Sequence, residues 1–182
     1  MQLRDDMGEL LAHDHGELDK LLRELLVAFQ TGEAPDIHQR LDRFWARLAV
    51  HIRAEHLVLF PAILHALSRG IQGAPSLTEA EQTIAELRSD HDFFMCELAR
   101  AIKSLRGLLN DSDNERRPKK LETVAAIVGS VGGRLATHNK VEEEGIYVWV
   151  GLVLNDTKQS ELAVRVETEL KKMPPRFEAQ MW

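Results

Sequence analysis

Apolar residues recur at alternating steps of three and four along nearly the whole chain, the period of a helix that buries one face. Four long helices and one shorter one follow from that spacing. The first is predicted from about Leu3 to Phe29, stopping before Thr31-Gly32-Glu33-Ala34-Pro35. The second runs from near Asp36 to about Leu67, with Pro61 expected to kink its last turns. The third, capped by Ser76 or Thr78, continues to about Leu109, and Asn110-Asp111-Ser112-Asp113-Asn114 reads as a loop. The fourth covers roughly Arg116 to Leu154, where Gly129, Gly132 and Gly133 either weaken the helix or admit a close neighbour. A last amphipathic piece, Lys158 to Met173, ends at Pro174-Pro175, and strand signals are too few to support a sheet. The predicted fold is all-α, an antiparallel up-down four-helix bundle (residues 1–155) with a short additional C-terminal helix (156–182).

Polar residues interrupt these apolar stripes at related places. The stripe of the first helix is Met7, Leu11, His15, Leu18, Leu22, Leu25 and Phe29, with His13 on the polar face. On the second it passes through Leu41, Phe44, Leu48, His51, Glu55 and Val58, and on the third through Ile84, Leu87, His91, Phe94, Leu98, Ile102 and Leu105. The fourth carries Leu121, Val124, Val128, Val131, Leu135, His138, Glu142, Gly145 and Trp149. A His followed four residues later by a Glu is usually a surface pair, but here both pairs fall in phase with the apolar residues, so His51, Glu55, His138 and Glu142 should point inward. His15 and His91 each follow an aspartate, Asp14 and Asp90, which makes the chain a weak internal repeat of two helical hairpins.

Composition narrows the function classes. A chain of 182 residues with 44% hydrophobic content can bury one core without disulfides. The net charge of −6 argues against a nucleic-acid surface. Lone Cys96 excludes an internal disulfide and is expected as a half-buried side chain on a helix flank. The opening segment lacks an apolar signal core and no stretch approaches an uninterrupted membrane span, so the expected location is cytoplasmic, without membrane association.

Six inward polar groups need one explanation, because each would cost a few kcal/mol if buried unpaired. A hydrogen-bonded His/Glu network is one answer. A metal is the better one, since two buried carboxylates want positive charge and no Lys or Arg is in phase beside them. Four imidazoles, two carboxylates and no thiolate suit iron, with manganese or zinc as weaker fits. Ferritin-like di-iron bundles use Glu-x-x-His ligands, which are not found here in the right phase.

The order His15, His51-x-x-x-Glu55, His91, His138-x-x-x-Glu142, over roughly Leu3 to Leu154, resembles the hemerythrin-like (HHE cation-binding) family, as does Leu59-Phe60-Pro61 in the second helix. Tyr147-Val148-Trp149 lacks the corresponding proline. The resemblance implies two iron ions, oxo- or hydroxo-bridged, with His15, His51, His91 and His138 as terminal ligands and Glu55 and Glu142 as bridges. It also implies binding or reduction of a small oxidant: oxygen, peroxide or nitric oxide. Oxygen carriers of the family have another histidine one turn from the third-helix ligand, where this chain has Leu87 and Met95. About two of twelve coordination positions would then stay open, which suits activation of a ligand such as peroxide and counts against simple reversible oxygen carriage without selecting one alternative, since another residue could fill the gap. The alternative is an iron, oxygen or redox sensor without turnover, whose protein partner is unknown and for which the segment from Lys158 to Trp182, with Phe177, Met181 and Trp182, could provide a surface. His56 and Glu143 are possible additional ligands, set against a reading as flank residues that reach solvent. His38 and His65 are expected at the surface, and Asp14 and Asp90 as outer partners or surface groups. The pocket wall is expected from Phe44, Leu48, Leu87, Phe94, Met95 and Leu135. Tyr147 falls away from the core on the helical wheel and is given no redox role.

Overall fold

In the computed structural model, which describes residues 7–109 and 116–178, the predicted stripes become an all-helical bundle. Helix α1 spans Met7–Thr31. Helix α2, Ala34–Ala54, continues through a π-helical turn at Glu55–Leu59 into α3, Phe60–Leu67. Helix α4 is Leu77–Leu109. Helix α5, Arg117–Val141, passes through a second π-helical turn at Glu142–Ile146 into α6, Tyr147–Val153. Helix α7, Asp156–Leu170, and the short α8, Pro175–Glu178, complete the described residues. The predicted start at Leu3, the loop from Asn110 to Asn114, and Met181 and Trp182 lie outside the described residues.

Local chemistry sets the helix ends. Gly32 supplies the positive φ of 74° that ends α1, and Gly70 (φ 68°) does the same after α3, a backbone region where a Cβ is disfavoured. The Ser76 hydroxyl accepts the Glu79 N–H at 3.1 Å to start α4, and the Asn155 side chain accepts that of Lys158 at 3.0 Å to start α7.

Each long helix packs against two others: α1 on α2 and α5, and α4 on α2 and α5. Their inward faces form two apolar clusters separated by a polar layer. Leu18, Leu48, Phe94 and Leu135 belong to the first cluster, and Leu11, Val58, Leu87 and Ile146 to the second. Helices α1 and α4 therefore cross the layer from the second cluster to the first, and α2 and α5 cross it the other way. Full burial of residues such as Phe44, Leu18 and Leu41 contributes roughly 1.5–3 kcal/mol each, enough to hold a polar layer in place. One glycine is a contact point: a Cβ on Gly132 would lie 2.9 Å from Leu22 Cδ2 of α1, whereas Gly129 and Gly133 face open space.

The apolar stripes hold as predicted as far as Glu55 and Glu142 and then slip on α5–α6. A π turn takes one residue more than an α turn, so everything beyond it rotates by about 100° relative to an uninterrupted wheel. Ile146, Tyr147 and Val150 are therefore buried, while Gly145 and Trp149, predicted on the stripe, are only partly buried. The Phe60 and Tyr147 N–H groups close the two turns by donating to the Glu55 and Glu142 carbonyls. Pro61, which has no N–H to continue an α ladder, accounts for part of the first turn. The second forms without a proline.

Helix α7 lies against α1, α2 and the first π turn, burying Leu162, Ala163, Val166 and Leu170. Arginines of α2 satisfy its terminal carbonyls. Arg47 Nη1 donates to Leu170 O at 2.7 Å, and Arg53 Nη2 to Glu169 O at 3.2 Å. Phe177 is buried beyond it. Cys96 is exposed rather than half-buried, because its place on α4 turns it outside the Phe94–Leu98 stripe. Among the described residues, Ala34–Leu67 is the one helical run long and apolar enough to cross a membrane, with hydropathy 1.2 over its most apolar window. That window is 56% buried within the bundle, as a core helix would be.

Candidate metal centre

Six side chains converge in the polar layer. His15, His51, His91 and His138 come from α1, α2, α4 and α5, and Glu55 and Glu142 open the two π turns. All six are buried, both carboxylates completely. The His15 and His51 Nε2 atoms are 3.3 Å apart, and those of His91 and His138 are 2.9 Å apart, giving two imidazole pairs.

Each carboxylate divides its oxygens between the pairs. Glu55 Oε1 lies 3.5 Å from His51 Nε2, and its Oε2 lies 3.4 Å from His91 Nε2. Glu142 Oε2 is 3.3 Å from His15 Nε2, and its Oε1 is 3.0 Å from His138 Nε2 and 3.8 Å from His91 Nε2. Glu55 Oε2 is buried yet has no hydrogen-bond partner, and Glu142 Oε1 has none while the His138 proton is on Nδ1 toward Asp90. Orphaned carboxylate oxygens facing imidazole nitrogens are the arrangement a cation resolves, and a hydrogen-bonded network alone leaves them unsatisfied. Glu55, His91, His138 and Glu142 form one group able to hold a metal ion, and His15, His51 and Glu142 another.

The outward nitrogen of every ring is also engaged. His51 Nδ1–H donates to Asp14 Oδ2 at 2.8 Å, His138 Nδ1–H to Asp90 Oδ2 at 3.1 Å, and His15 Nδ1–H to Glu143 Oε1 at 2.7 Å. In the tautomer that leaves Nε2 free, His91 Nδ1–H donates to His56 Nε2 at 2.8 Å. Such partners fix ring orientation and raise donor basicity. His56 and Glu143, possible additional ligands from the sequence, are thus placed behind the rings of His91 and His15. Asp14 and Asp90 are outer partners, as one of their two expected readings had it.

Each aspartate is also paired with an arginine one turn before the histidine it holds: Asp14 with Arg47, and Asp90 with Arg134, whose Nε is 2.7 Å away. The sequence carries this signal twice, as Arg-x-x-x-His-x-x-x-Glu at Arg47-His51-Glu55 and Arg134-His138-Glu142, and sequence reasoning missed it.

It also missed Tyr147. The slip at the second π turn brings this buried phenol inward, with Oη 3.0 Å from His15 Nε2, 3.2 Å from Glu55 Oε1 and 3.4 Å from Glu142 Oε2. The corresponding residue after the first π turn is Phe60, stacked on His91 at 6.2 Å between centroids and 8° between planes.

Electrostatics differ between the pairs. Burial pushes His91 down to about 3, with Glu55 opposing it only in part, so its ring is neutral at physiological pH. Burial also opposes protonation of His51 and His138, but the Glu55 and Glu142 carboxylates win and raise both. Burial alone would raise Glu142, yet the imidazoles of His138 and His15 hold it at about 2. Burial, and then Glu55 and Glu142, push the Tyr147 hydroxyl well above the usual phenol range.

Around the centre, Phe94 meets the His138 ring edge-on at 5.3 Å. Phe44, Leu48 and Leu135 lie in the first apolar cluster with partly buried Met95 against it, and Leu87 lies in the second. His13 and His65 are exposed, and half-exposed His38 accepts from Arg106 on the surface. No curated protein and no solved structure matches the chain. The family model for the hemerythrin HHE cation binding domain matches residues 6–150, a span that contains all six inward groups, both π turns and the four outer partners. The chain belongs to the hemerythrin HHE cation-binding family.

Proposed function

We propose that this chain is a di-iron protein, built as an antiparallel up-down four-helix bundle, that binds or reduces a small oxidant such as oxygen, peroxide or nitric oxide. His15, His51, His91 and His138 would hold the irons as terminal ligands, and Glu55 and Glu142 would bridge them. The observation that carries this reading is the division of each carboxylate's two oxygens between the two imidazole pairs. The donor set of nitrogens and oxygens without thiolate suits iron.

Bound iron supplies a redox couple and open coordination positions, at which a small oxidant is polarised or reduced. The chain's own part is positional. Asp14, Asp90, Glu143 and His56 keep the imidazoles aimed inward, and the two apolar clusters keep bulk water from the layer. Leu87 and Met95, one turn either side of His91, offer no donor strong enough to close an open position. The exposed free thiol of Cys96 is compatible with a reducing, cytoplasmic compartment.

A second reading, an iron, oxygen or redox sensor without turnover, has one observation in its favour. Arg47 joins Asp14, the partner of the His51 ring, to the last carbonyl of α7, so the state of the centre can be felt in the C-terminal helix. Metal analysis, an optical spectrum and a peroxide-decay assay on aerobically purified protein test both. About two irons per chain with peroxide loss above that of free iron supports the enzyme. Two irons without turnover, and α7 protection from proteolysis that depends on metal, supports the sensor. Stoichiometric zinc with no iron, after growth in iron-replete medium, refutes both.

A further inference from the structure

The two halves of the centre repeat each other closely: Asp14-His15 answers Asp90-His91, and Arg47-His51-Glu55 answers Arg134-His138-Glu142. The repeat breaks at the residue that closes each π turn. There the first half has Phe60 and the second has Tyr147, and only the second brings an oxygen into the polar layer.

The position of that oxygen is informative. With metal–ligand bonds of about 2.1 Å, adjacent corners of a coordination octahedron lie about 3.0 Å apart. Tyr147 Oη is 3.0 Å from His15 Nε2, 3.2 Å from Glu55 Oε1 and 3.4 Å from Glu142 Oε2. The other edges among these donors are similar: His15 to His51 is 3.3 Å, His15 to Glu142 Oε2 is 3.3 Å, and His51 to Glu55 Oε1 is 3.5 Å. Tyr147 Oη therefore stands at about cis-ligand spacing from three donors, beside the His15, His51 and Glu142 group that can hold a metal ion. The other position has four donors, namely His91 Nε2, His138 Nε2, Glu55 Oε2 and Glu142 Oε1, and the residue that answers Tyr147 there, Phe60, brings no oxygen.

On the di-iron reading above, we propose that Tyr147 is a seventh protein ligand, binding through its phenol oxygen to the metal held by His15 and His51. The O–H bond breaks as the oxygen–metal bond forms, the proton leaves to solvent, and no electron is transferred. This makes the pair unequal. The His15/His51 position is closed by protein donors and a bridge, and the positions open to an exogenous oxidant gather at the His91/His138 metal, beside Phe60 and Phe94. The carboxylate oxygens that find no hydrogen-bond partner, Glu55 Oε2 and Glu142 Oε1, both face this second position.

Tyr147 is the only tyrosine in the chain, so its signature can be assigned without substitution. The test is resonance Raman spectroscopy of the aerobically purified, ferric full-length protein, excited in its visible band, with iron counted on the same sample. The expected result is two irons, a phenolate-to-iron charge-transfer band, and ring modes that shift when the protein is grown on ring-deuterated tyrosine. Tyr147→Phe should lose the band while keeping bound iron. Two irons without a tyrosine-derived mode overturn the ligand assignment and leave the di-iron reading standing. A visible band unchanged in energy and intensity in Tyr147→Phe has the same meaning. A native chain that holds no iron overturns both.

Discussion

Glu55→Gln provides a test in which the sign of the effect depends on metal. The Glu55 carboxylate is fully buried, Oε2 has no hydrogen-bond partner within the protein, and the imidazole facing that oxygen, His91, is neutral at physiological pH. A buried polar atom left without a hydrogen-bond partner costs about 1–3 kcal/mol, and a neutral amide of similar volume lowers that cost. His51 offsets part of the Glu55 charge, and its loss works against the gain, so we expect a net rise of about 1–2 kcal/mol. For a chain of this length that corresponds to a rise in Tm of about 2–8 °C for the chelated protein. With metal the order reverses. Ligand at a hundred times its Kd stabilises a folded protein by about 2.7 kcal/mol, or roughly 5–11 °C here. Glutamine, a neutral and weaker donor, should forfeit most of that increment. The assay is a pair of thermal melts for native and variant protein, one set chelated under reducing conditions and one reconstituted anaerobically with ferrous iron. A chelated variant that melts below the chelated native chain would refute the reasoning, because Glu55 would then be a satisfied structural group.

Alanine at His15, His51, His91 or His138 should lower bound iron, whereas alanine at His13, His38 or His65 should not; equal retention across both sets in elemental analysis contradicts the ligand assignment. Asp14→Asn should weaken metal affinity by about 10–100-fold in a chelator competition by releasing the His51 ring, with native affinity as the contrary result. Raised above 6.5 in the folded, metal-free chain, His51 and His138 contribute stability that is complete below about pH 6.5 and lost as pH rises through their folded values. Metal competes with those protons, so the metal-induced increase in Tm should grow with pH across the same window, and an increment that shrinks would contradict this. Gly129→Ala and Gly133→Ala should each stabilise α5 by roughly 0.5–1 kcal/mol in urea unfolding, while Gly132→Ala should gain less because its Cβ displaces Leu22; three equal gains would show that α1 and α5 are not in contact there.

Where the chain is regular, hydrophobic period alone located the groups that meet in the layer. His15, His51, Glu55, His91, His138 and Glu142 all lie on the stripes that the sequence predicts, because each helix keeps one phase up to that point. Tyr147 was out of reach for the opposite reason. A π turn leaves no reliable mark in composition. Pro61 marks the first, but nothing in Glu142–Ile146 marks the second, and a wheel carried across it turns the phenol outward. His56 and Glu143 follow the two carboxylates directly, and their adjacency made them look like spare ligands. Only the spatial arrangement shows them on the outward nitrogens of His91 and His15. The roles of Arg47 and Arg134 were legible from the repeat, since both stand four residues before a layer histidine, but the bond to α7 needed the fold.

The four occupied Nδ1 atoms also bear on how fast the centre fills. Freezing a side chain's rotamers costs up to about 1.5–2 kcal/mol, and a binding site that must order its donors meets that entropy loss as each ion arrives. Here Asp14, Glu143, His56 and Asp90 hold the rings through the nitrogens that face away from the layer, independently of any ion. Capture then has little ordering left to do, and the slow event is an ion's passage between helices into a layer sealed on both sides by close-packed hydrocarbon. Loading and loss should therefore follow the rate at which the bundle opens locally, on the timescale of amide exchange in its core rather than that of ligand substitution at the metal.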